Sequence, residues 1–358
     1  MSEANNESKR KGVPVEFRRY SKQIRFKGVG ESGQQKLRDS KVLVIGCGAL
    51  GSSSSNLLVR AGVGNVLIVD RDFVEVDNLQ RQILFDECDI GQPKAIVAAE
   101  KLKQVNSEIE IEGRVVDVTF QNIESLLLGD QSVDVVIDAT DNFEVRFLIN
   151  DACIKNGIPW IYGGCLGAEG QVMSIIPGET ACLNCLMLDG PPPPGTVATC
   201  DTGGILATII QVVSAIQVNE SIKYLTGNRK AMSREMQVFD LWGNRIQGMQ
   251  LGDLREKSNC PTCQRGDFQW LSGEKGSQSV VLCGRNAVQL SLTDRSPVDL
   301  TKLAERFQDF GQVEKNPFLV RLSLSQFVIT VFQDGRAIIQ GTEDLSLARK
   351  IYTQYIGA

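Results

Sequence analysis

The chain has 358 residues with a hydrophobic content of 42%, and its 43 Asp and Glu residues outnumber 38 Lys and Arg residues, which gives a formal net charge of −5. It contains no histidine, which excludes Ser-His-Asp and Cys-His couples, histidine general bases and histidine metal ligands. The length predicts two domains or one large domain with an appendage, and the acidic balance argues against a nucleic-acid partner.

The predicted elements begin after a polar stretch, residues 1–18, which we expect to form a flexible arm. It opens with MSEANNESKRKG, which has no apolar segment of the kind found in secretory signals. The longest apolar run, residues 205–218, contains Gln211, Ser214 and Gln217, so it is too short and too polar to span a bilayer. We therefore expect a buried helix there, a cytoplasmic protein without a membrane partner, and reduced thiols.

Residues 41–177 alternate between strand and helix patterns. Apolar runs predict parallel strands at residues 41–46, 65–70, 109–118 and 133–140. Between them, one helix ends at Ala61 before Gly62, and another starts at Pro93. Asp141 and Asn142 are placed to cap the next helix. The alternation predicts an α/β fold, a Rossmann-like doubly wound and mainly parallel sheet.

Two stretches of turn residues mark boundaries later in the chain. GPPPPGT, residues 190–196, is expected to form a loop, because consecutive prolines cannot continue a helix or a central strand. LSGEKGSQS, residues 271–279, is the second boundary. We therefore expect a main domain over residues 19–270 and a small α+β module over residues 276–358. In this module the pattern predicts strands at 280–283, 318–323 and 326–332, a further strand in RAIIQG, and helices at 299–309 and 344–355.

The first strand is followed by a glycine-rich turn, GCGALG, that opens the first long helix. Gly46, Gly48 and Gly51 allow a tight turn and a close approach of phosphate to backbone N–H groups at the helix N-terminus. Asp70 ends the second strand, 19 residues after Gly51, where an acidic residue typically accepts hydrogen bonds from ribose hydroxyls. The unit therefore predicts a nucleotide site.

Further polar residues after Asp70 help to choose between NAD and ATP. The glycine turn alone favours NAD. Cations, however, are suited to bind a triphosphate, and a hydride-transfer site needs few of them. The polar residues after Asp70 are Asp72, Asn78, Arg81, Gln82 and Lys94, of which Arg81 and Lys94 are cations. The set favours ATP, and an NAD-dependent oxidoreductase with structural zinc remains the alternative.

Four of the ten cysteines form two Cys-x-x-Cys pairs, Cys182 with Cys185 and Cys260 with Cys263. Each pair can supply two ligands of a tetrahedral ion, so that together they make a closed four-thiolate site. The sequence therefore predicts structural zinc rather than a catalytic metal.

Several motifs together resemble the ThiF/MoeB family, the bacterial relatives of ubiquitin-activating enzymes, over about residues 17–265. They are YSKQIRF (20–26), GCGALG (46–51), AGVGNVLIVDRDFVEVDNLQRQ (61–82), IGQPKA (90–95) and DATDN (138–142), together with the four cysteines. The resemblance implies an adenylyltransferase that binds Mg-ATP and the Gly-Gly C-terminus of a ubiquitin-like sulfur carrier. The tail carboxylate attacks the α-phosphate and pyrophosphate leaves, and such a reaction needs no histidine base.

The resemblance also implies roles for particular residues. Asp70 holds the ribose, whereas Asn78, Arg81 and Lys94 hold the phosphates. Asp141 holds Mg²⁺ or the reacting phosphate, and Asp138 of the same motif counts among the cofactor-binding residues.

At Lys22 the chain departs from the family, which has an arginine finger there that reaches the partner subunit's ATP. Lysine keeps the charge but loses the bidentate fork, and Arg25 three residues on is the candidate to compensate. We expect a homodimer in which Lys22 acts in trans.

Two further cysteines bear on sulfur chemistry. Cys200 matches the family position that can bond the carrier's terminal carbonyl or its sulfur. It lies shortly before the helix that begins near Ile205, and the N-terminus of a helix can lower the pKa of a thiol. Cys283 lies at a predicted strand end in a module that is too short for a rhodanese domain. A desulfurase or a rhodanese is the expected sulfur donor. The thiamine, molybdopterin and related pathways all stay open, as does the alternative of a non-catalytic carrier-binding scaffold.

Overall fold

A computed structural model describes residues 15–188, 190–191, 203–275, 279–282, 286–290, 298–333 and 335–357. The chain divides into two compact units. The first is drawn from Met1–Gly190 and Leu206–Ser272, and the second from Pro191–Ile205 and Gly273–Ala358.

The first unit contains an eight-stranded sheet in the order β3-β2-β1-β4-β5-β6-β7-β8. The strands are β1 (Lys41–Ile45), β2 (Asn65–Asp70), β3 (Glu110–Val115), β4 (Val135–Asp138), β5 (Trp160–Leu166), β6 (Glu169–Ile175), β7 (Glu235–Asp240) and β8 (Arg245–Gln250). Across the sheet, the neighbouring strands β3, β2, β1, β4 and β5 pair in parallel. From β5 through β6 and β7 to β8, neighbouring strands pair antiparallel. This is the predicted Rossmann-like, mainly parallel sheet, with an antiparallel extension that the sequence pattern did not reveal.

Helices surround this sheet. They are α1 (Ser21–Ile24), α2 (Gly30–Arg38), α3 (Ala49–Ala61), α4 (Lys94–Val105), α5 (Ile123–Leu128), α6 (Phe143–Asn156), α7 (Leu183–Leu186), α8 (Ala207–Leu225) and α9 (Leu254–Lys257). Gly62, with φ +80°, ends α3 in the left-handed conformation, which glycine adopts without strain. Pro93 directly precedes α4, and the side chain of Asn142 caps α6 by accepting a hydrogen bond from the N–H of Glu144 at 2.8 Å.

The strand boundaries predicted from the sequence hold best where apolar residues are continuous. β1 and β2 agree with the predicted runs to within one residue, whereas β3 and β4 are shorter than expected. The core beneath the sheet includes Phe147 and Trp160, both fully buried. Phe147 stacks on Trp270 with 5.2 Å between ring centroids, which ties α6 to the last residues of the unit.

The second unit is a six-stranded antiparallel sheet in the order β11-β12-β13-β14-β10-β9, with helices α10 (Leu300–Phe307) and α11 (Leu345–Tyr355). Its strands are β9 (Ser279–Leu282), β10 (Ala287–Leu290), β11 (Gln312–Lys315), β12 (Leu319–Ser323), β13 (Val328–Phe332) and β14 (Ala337–Gln340). Alternate strand residues pack with both helices around the fully buried Phe307. The sequence did not predict β10 or β11, of which β11 is short and polar.

Within the residues that the structure describes, every helix falls short of the length and apolar character that crossing a membrane would require. Helix α8, which covers most of the apolar run 205–218, instead buries polar side chains in the first unit. Gln217, for example, donates to the main-chain oxygens of Asp138 and Ile161.

Candidate functional site

The glycine-rich turn lies between β1 and α3, at the carboxyl edge of the parallel strands. Gly46 has φ +93°, and a Cβ there would lie 2.6 Å from the main-chain oxygen of Ala139. A Cβ on Gly51 would lie 1.9 Å from the main-chain oxygen of Gly46. Gly48 precedes α3, and its missing side chain leaves room in front of the helix N-terminus. The first N–H groups of α3 are therefore open to a phosphate.

Asp70, at the end of β2, lies against this turn. It accepts hydrogen bonds from the N–H of Cys47, inside the turn, and from the N–H of Asp72 at 2.6 Å. Burial, followed by the charge of Asp72, raises the pKa of Asp70, and the positive charge of Lys94 partly opposes this. The structure thus brings together the glycine turn and the predicted ribose-binding carboxylate.

Lys94 begins α4 and approaches the same edge. Its Nζ lies 3.6 Å from Oδ2 of Asp72, and its side chain is almost completely buried. A buried ammonium needs a compensating charge, which Asp72 provides. A triphosphate at the glycine turn would find this cation within the site.

The DNLQRQ motif forms the turn between β2 and α4. Gln82 is buried, and its Nε2 lies 3.8 Å from where a Cβ on Gly48 would be. Its Oε1 has no hydrogen-bond partner among the described residues. Since buried polar atoms are seldom left unpaired, this atom indicates a missing donor beside the turn. A bound nucleotide, or the water around it, fits that requirement.

Two further predicted site residues of this motif, Asn78 and Arg81, form hydrogen bonds with Asp77. Nδ2 of the buried Asn78 donates to Oδ1 of Asp77 at 2.9 Å, and Nη1 of Arg81 donates to its main-chain oxygen at 2.7 Å. Arg81 is half-buried, so that its guanidinium remains partly accessible. Their roles in binding phosphate stay predictions.

Asp138 differs from the other predicted ligands because its carboxylate is engaged inside the fold. It is fully buried at the end of β4, accepts from the N–H and the hydroxyl of Thr140 at 3.0 and 2.7 Å, and pairs with Nε of Arg146 at 3.2 Å. Nη2 of Arg146 also donates to the main-chain oxygens of Thr140 and Gly163 at 2.6 and 3.1 Å. The pair fixes the loop that leads to Asp141, so Asp138 has a structural task here, and a direct nucleotide contact stays a prediction.

Asp141 is exposed at the same carboxyl edge. Burial lowers the pKa of Arg146, but its electrostatic interactions with Tyr162 and with the carboxylates of Asp138 and Asp141 outweigh burial and raise the pKa. The charge of Asp141 also contributes to raising the pKa of Arg71, the residue after Asp70. Sequence reasoning missed Arg71 and Arg146. The position of Arg71 next to Asp70 was a usable signal, whereas nothing in the sequence links Arg146 to Asp138.

Lys22 is the predicted site residue that the structure does not bring to the others. It lies exposed on α1, whose Gln23 donates from Nε2 to the main-chain oxygen of Ala61 at 2.8 Å. Ala61 is the last residue of α3, whereas the glycine turn precedes its first residue. Thirteen residues of helix separate these ends by about 18 Å. Arg25 is also exposed. Cys200, Cys283 and most of the proline stretch 190–196 lie outside the described residues.

The four predicted metal ligands meet in one cluster. Their sulfur atoms all lie within 4.8 Å of one another, with 3.6 Å between Cys182 and Cys260, 3.8 Å between Cys182 and Cys185, and 3.4 Å between Cys185 and Cys263. A tetrahedral zinc ion with Zn–S bonds of about 2.3 Å requires S–S separations of about 3.8 Å. The cluster therefore fits a zinc ion with four thiolate ligands.

Two consecutive residues of α6 support this cluster. Asn150 donates from Nδ2 to Sγ of Cys182 at 3.6 Å and accepts from the N–H of Leu183 at 3.0 Å. Asp151 accepts from the hydroxyl of Thr262 at 2.9 Å and from the N–H of Trp270 at 2.9 Å. Burial raises the pKa of Asp151 to about 6. Both Cys-x-x-Cys segments are thus attached to the helix that begins beside Asp141.

A parallel sheet with a glycine turn, an acidic residue at the end of β2 and cations at the carboxyl edge defines a Rossmann-like nucleotide-binding protein. The ThiF family model matches residues 20–262, and the chain belongs to the ThiF family. The resemblance found in the sequence is therefore confirmed.

Relatives with curated names support this family assignment. The sulfur carrier protein ThiS adenylyltransferase of Bacillus subtilis (strain 168) is 42% identical over 342 residues, which cover 95% of this chain and 99% of that protein. The protein of the same name from Escherichia coli (strain K12) is 37% identical, covering 69% of this chain and 95% of its own length. The adenylyltransferase and sulfurtransferase MOCS3 of Aedes aegypti is 39% identical, and the chain spans 55% of its length.

A solved structure supports the fold. The crystal structure of E. coli MccB with AMPCPP and selenomethionine-labelled MccA aligns with a TM-score of 0.60 at 23% identity, covering 70% of this chain and 76% of that one.

Proposed function

We propose that this protein is an adenylyltransferase that acts on a ubiquitin-like sulfur-carrier protein, uses Mg-ATP and releases pyrophosphate. The observation that carries the proposal is the convergence of the glycine turn, Asp70, Gln82 and Lys94 at one edge of the sheet. A ThiS-like carrier is the first candidate, since a ThiS adenylyltransferase matches 95% of the chain, including most of the second unit. Carriers of molybdopterin and related pathways remain to be compared with it.

The reaction requires little proton transfer. The terminal carboxylate of the carrier is ionised at neutral pH, and one of its oxygens attacks the α-phosphorus of ATP. The bond from this phosphorus to the bridging oxygen breaks, and pyrophosphate leaves with that oxygen. Lys94 and Arg81 neutralise the phosphate charge, while the N–H groups before α3 orient it. Mg²⁺, when bound, supplies further charge neutralisation, and the exposed Asp141 is the residue we assign to hold it.

We also propose that Lys22 completes the site of a second subunit in a homodimer. Its position beyond the far end of α3 supports this, because about 18 Å of helix separates it from the glycine turn of its own chain. The role of Cys200 as a covalent partner of the carrier, and the delivery of sulfur by a desulfurase or a rhodanese, stay predictions.

The β7–β8 hairpin is the surface we assign to the folded part of the carrier. Strand β8 is an edge of the eight-stranded sheet, and all its residues are exposed. Trp242 in the turn is 82% exposed, Ile246 is 75% exposed and Met249 is 50% exposed. Exposed apolar side chains on and beside an open strand edge are typical of a protein-binding surface. Ile246→Asp should raise the KM for the carrier without changing ATP binding, and an unchanged KM would remove this assignment.

Carrier-dependent exchange of labelled pyrophosphate into ATP tests the proposed reaction. We expect exchange with the intact enzyme, Mg-ATP and a ThiS-like carrier, and none with a carrier that lacks its last glycine. Exchange that is equally fast without any carrier would contradict the proposed substrate.

A further inference from the structure

Arg71 is a half-buried cation at the nucleotide edge to which neither the motifs nor the family match gives a task. It follows Asp70 directly at the end of β2. Its Nη1 donates to Oδ1 of Asp117 at 2.9 Å, and its Nε lies 3.8 Å from Oδ1 of Asp72. The side chains of Arg71 and Asp117 keep 21% and 16% of their surface exposed, so the pair is held in the protein but still accessible.

The strand order places this pair beyond the ribose position. The glycine turn follows β1, Asp70 ends the neighbouring β2, and Asp117 lies two residues after the end of β3, the next strand outward. In a mononucleotide-binding sheet the phosphates lie at the glycine turn and the ribose lies at the acidic residue of the second strand. The base then extends in the direction of the third strand, where Arg71 and Asp117 connect the ends of β2 and β3.

The surroundings of Arg71 suit contact with a flat ring. Burial lowers the pKa of its guanidinium, but the charges of Asp117, Asp72 and Asp141 outweigh burial and raise it, so that the group stays protonated. The contacts with Asp117 and Asp72 restrain the guanidinium before a ligand arrives, and guanidinium planes stack on aromatic rings. A lysine could supply the charge but not the plane.

We propose that Arg71, oriented by Asp117, is a specificity-determining residue whose guanidinium stacks on the purine ring of ATP. This inference rests on the proposed adenylation function, because it assigns the base subsite of the same nucleotide site. Arg71 is distinguished from Lys94 and Arg81 by its ligand, which is the base rather than the phosphates.

Binding of three ligands to the full chain separates these roles. Isothermal titration with AMPCPP and Mg²⁺, with AMP, and with pyrophosphate and Mg²⁺ compares ligands with and without a base. For Arg71→Ala we expect AMPCPP and AMP to bind about 5- to 100-fold more weakly, as for loss of a base-stacking side chain, with pyrophosphate binding unchanged. Arg71→Lys should resemble Arg71→Ala, and Asp117→Asn should give a smaller loss of the same pattern.

Arg114→Ala is the matched control, because it removes a surface arginine–carboxylate pair, with Glu112, from β3 itself. It should leave all three affinities unchanged, and melting temperatures verify that each variant is folded. If Arg71→Ala lost equal affinity for AMPCPP and pyrophosphate, or lost no affinity for AMPCPP, the inference would be overturned while the proposed function stands. Failure of the unaltered chain to bind AMPCPP would remove both.

Discussion

Asp72 lies between two cations of the nucleotide edge, and its Oδ2 is 3.6 Å from Nζ of Lys94. Lys94 is almost fully buried, so its charge cannot be balanced by water and is balanced by this carboxylate. The phosphates of ATP carry more negative charge than one carboxylate and would compete with Asp72 for the ammonium. From its buried position we therefore expect Lys94 to act as a preorganised phosphate ligand.

Lys94→Ala should lower carrier-dependent ATP–pyrophosphate exchange about 100- to 1,000-fold, because a preorganised charge at the reacting phosphates is lost. Lys101→Ala on the same helix is the control, since Lys101 pairs with the exposed Asp86 and the buried Asp89 and not with Asp72. It should keep most of the activity. A Lys94→Ala enzyme with nearly full exchange activity would show that the cation does not serve the reaction.

Arg146→Ala should lower the free energy of unfolding by about 3–5 kcal/mol, because it leaves the carboxylate of Asp138 buried without its partner. Urea unfolding measures this change. Lys155→Ala removes the surface pair with Glu124 and should cost less than about 1 kcal/mol. Equal effects of the two substitutions would mean that the buried pair does not hold the Asp141 loop.

The purified chain should contain about one zinc ion per molecule, and Cys182→Ser should lose it together with several kcal/mol of stability. Elemental analysis and thermal unfolding are the measurements. Cys88→Ser, at an exposed cysteine outside the cluster, should retain both zinc and melting temperature. Retention of zinc by Cys182→Ser would contradict the four-thiolate site.

Mixing two inactive variants tests whether Lys22 acts in trans. Lys22→Ala and Arg81→Ala should each be inactive as homodimers, whereas random mixed dimers contain one site with both residues. The mixture should regain about a quarter of the normal activity, since half of the dimers are mixed and each has one complete site of two. Light scattering verifies that the variants dimerise. No recovery would place Lys22 in the site of its own chain.

The sequence was sufficient to predict those parts of the molecule in which the local pattern of residues decides the structure. β2 coincides with the predicted run 65–70, and the four cysteines of the predicted cluster meet in space. The antiparallel extension β6–β8 was not predicted. Its edge strand β8 carries only exposed residues, so it lacks the alternation of buried apolar and exposed polar residues that indicates a strand.

The contacts that the sequence could not reveal join residues that are distant along the chain or belong to different elements. Arg146 reaches Asp138 and the main-chain oxygen of Gly163, and Gln82 reaches Gly48. Such contacts depend on how α6 and the DNLQRQ turn pack against the sheet. The separation of Lys22 from the glycine turn likewise follows from the docking of α1 at the end of α3.

We propose above that this protein joins AMP to the C-terminal carboxylate of a sulfur carrier. The most direct measurement is the intact mass of a ThiS-like carrier after incubation with the protein and Mg-ATP under conditions that remove pyrophosphate. We predict a carrier heavier by one AMP residue, with no change when its Gly-Gly end is truncated or when Lys94→Ala replaces the intact enzyme. A carrier of unchanged mass, in a mixture where the protein demonstrably binds both ATP and carrier, would contradict the account.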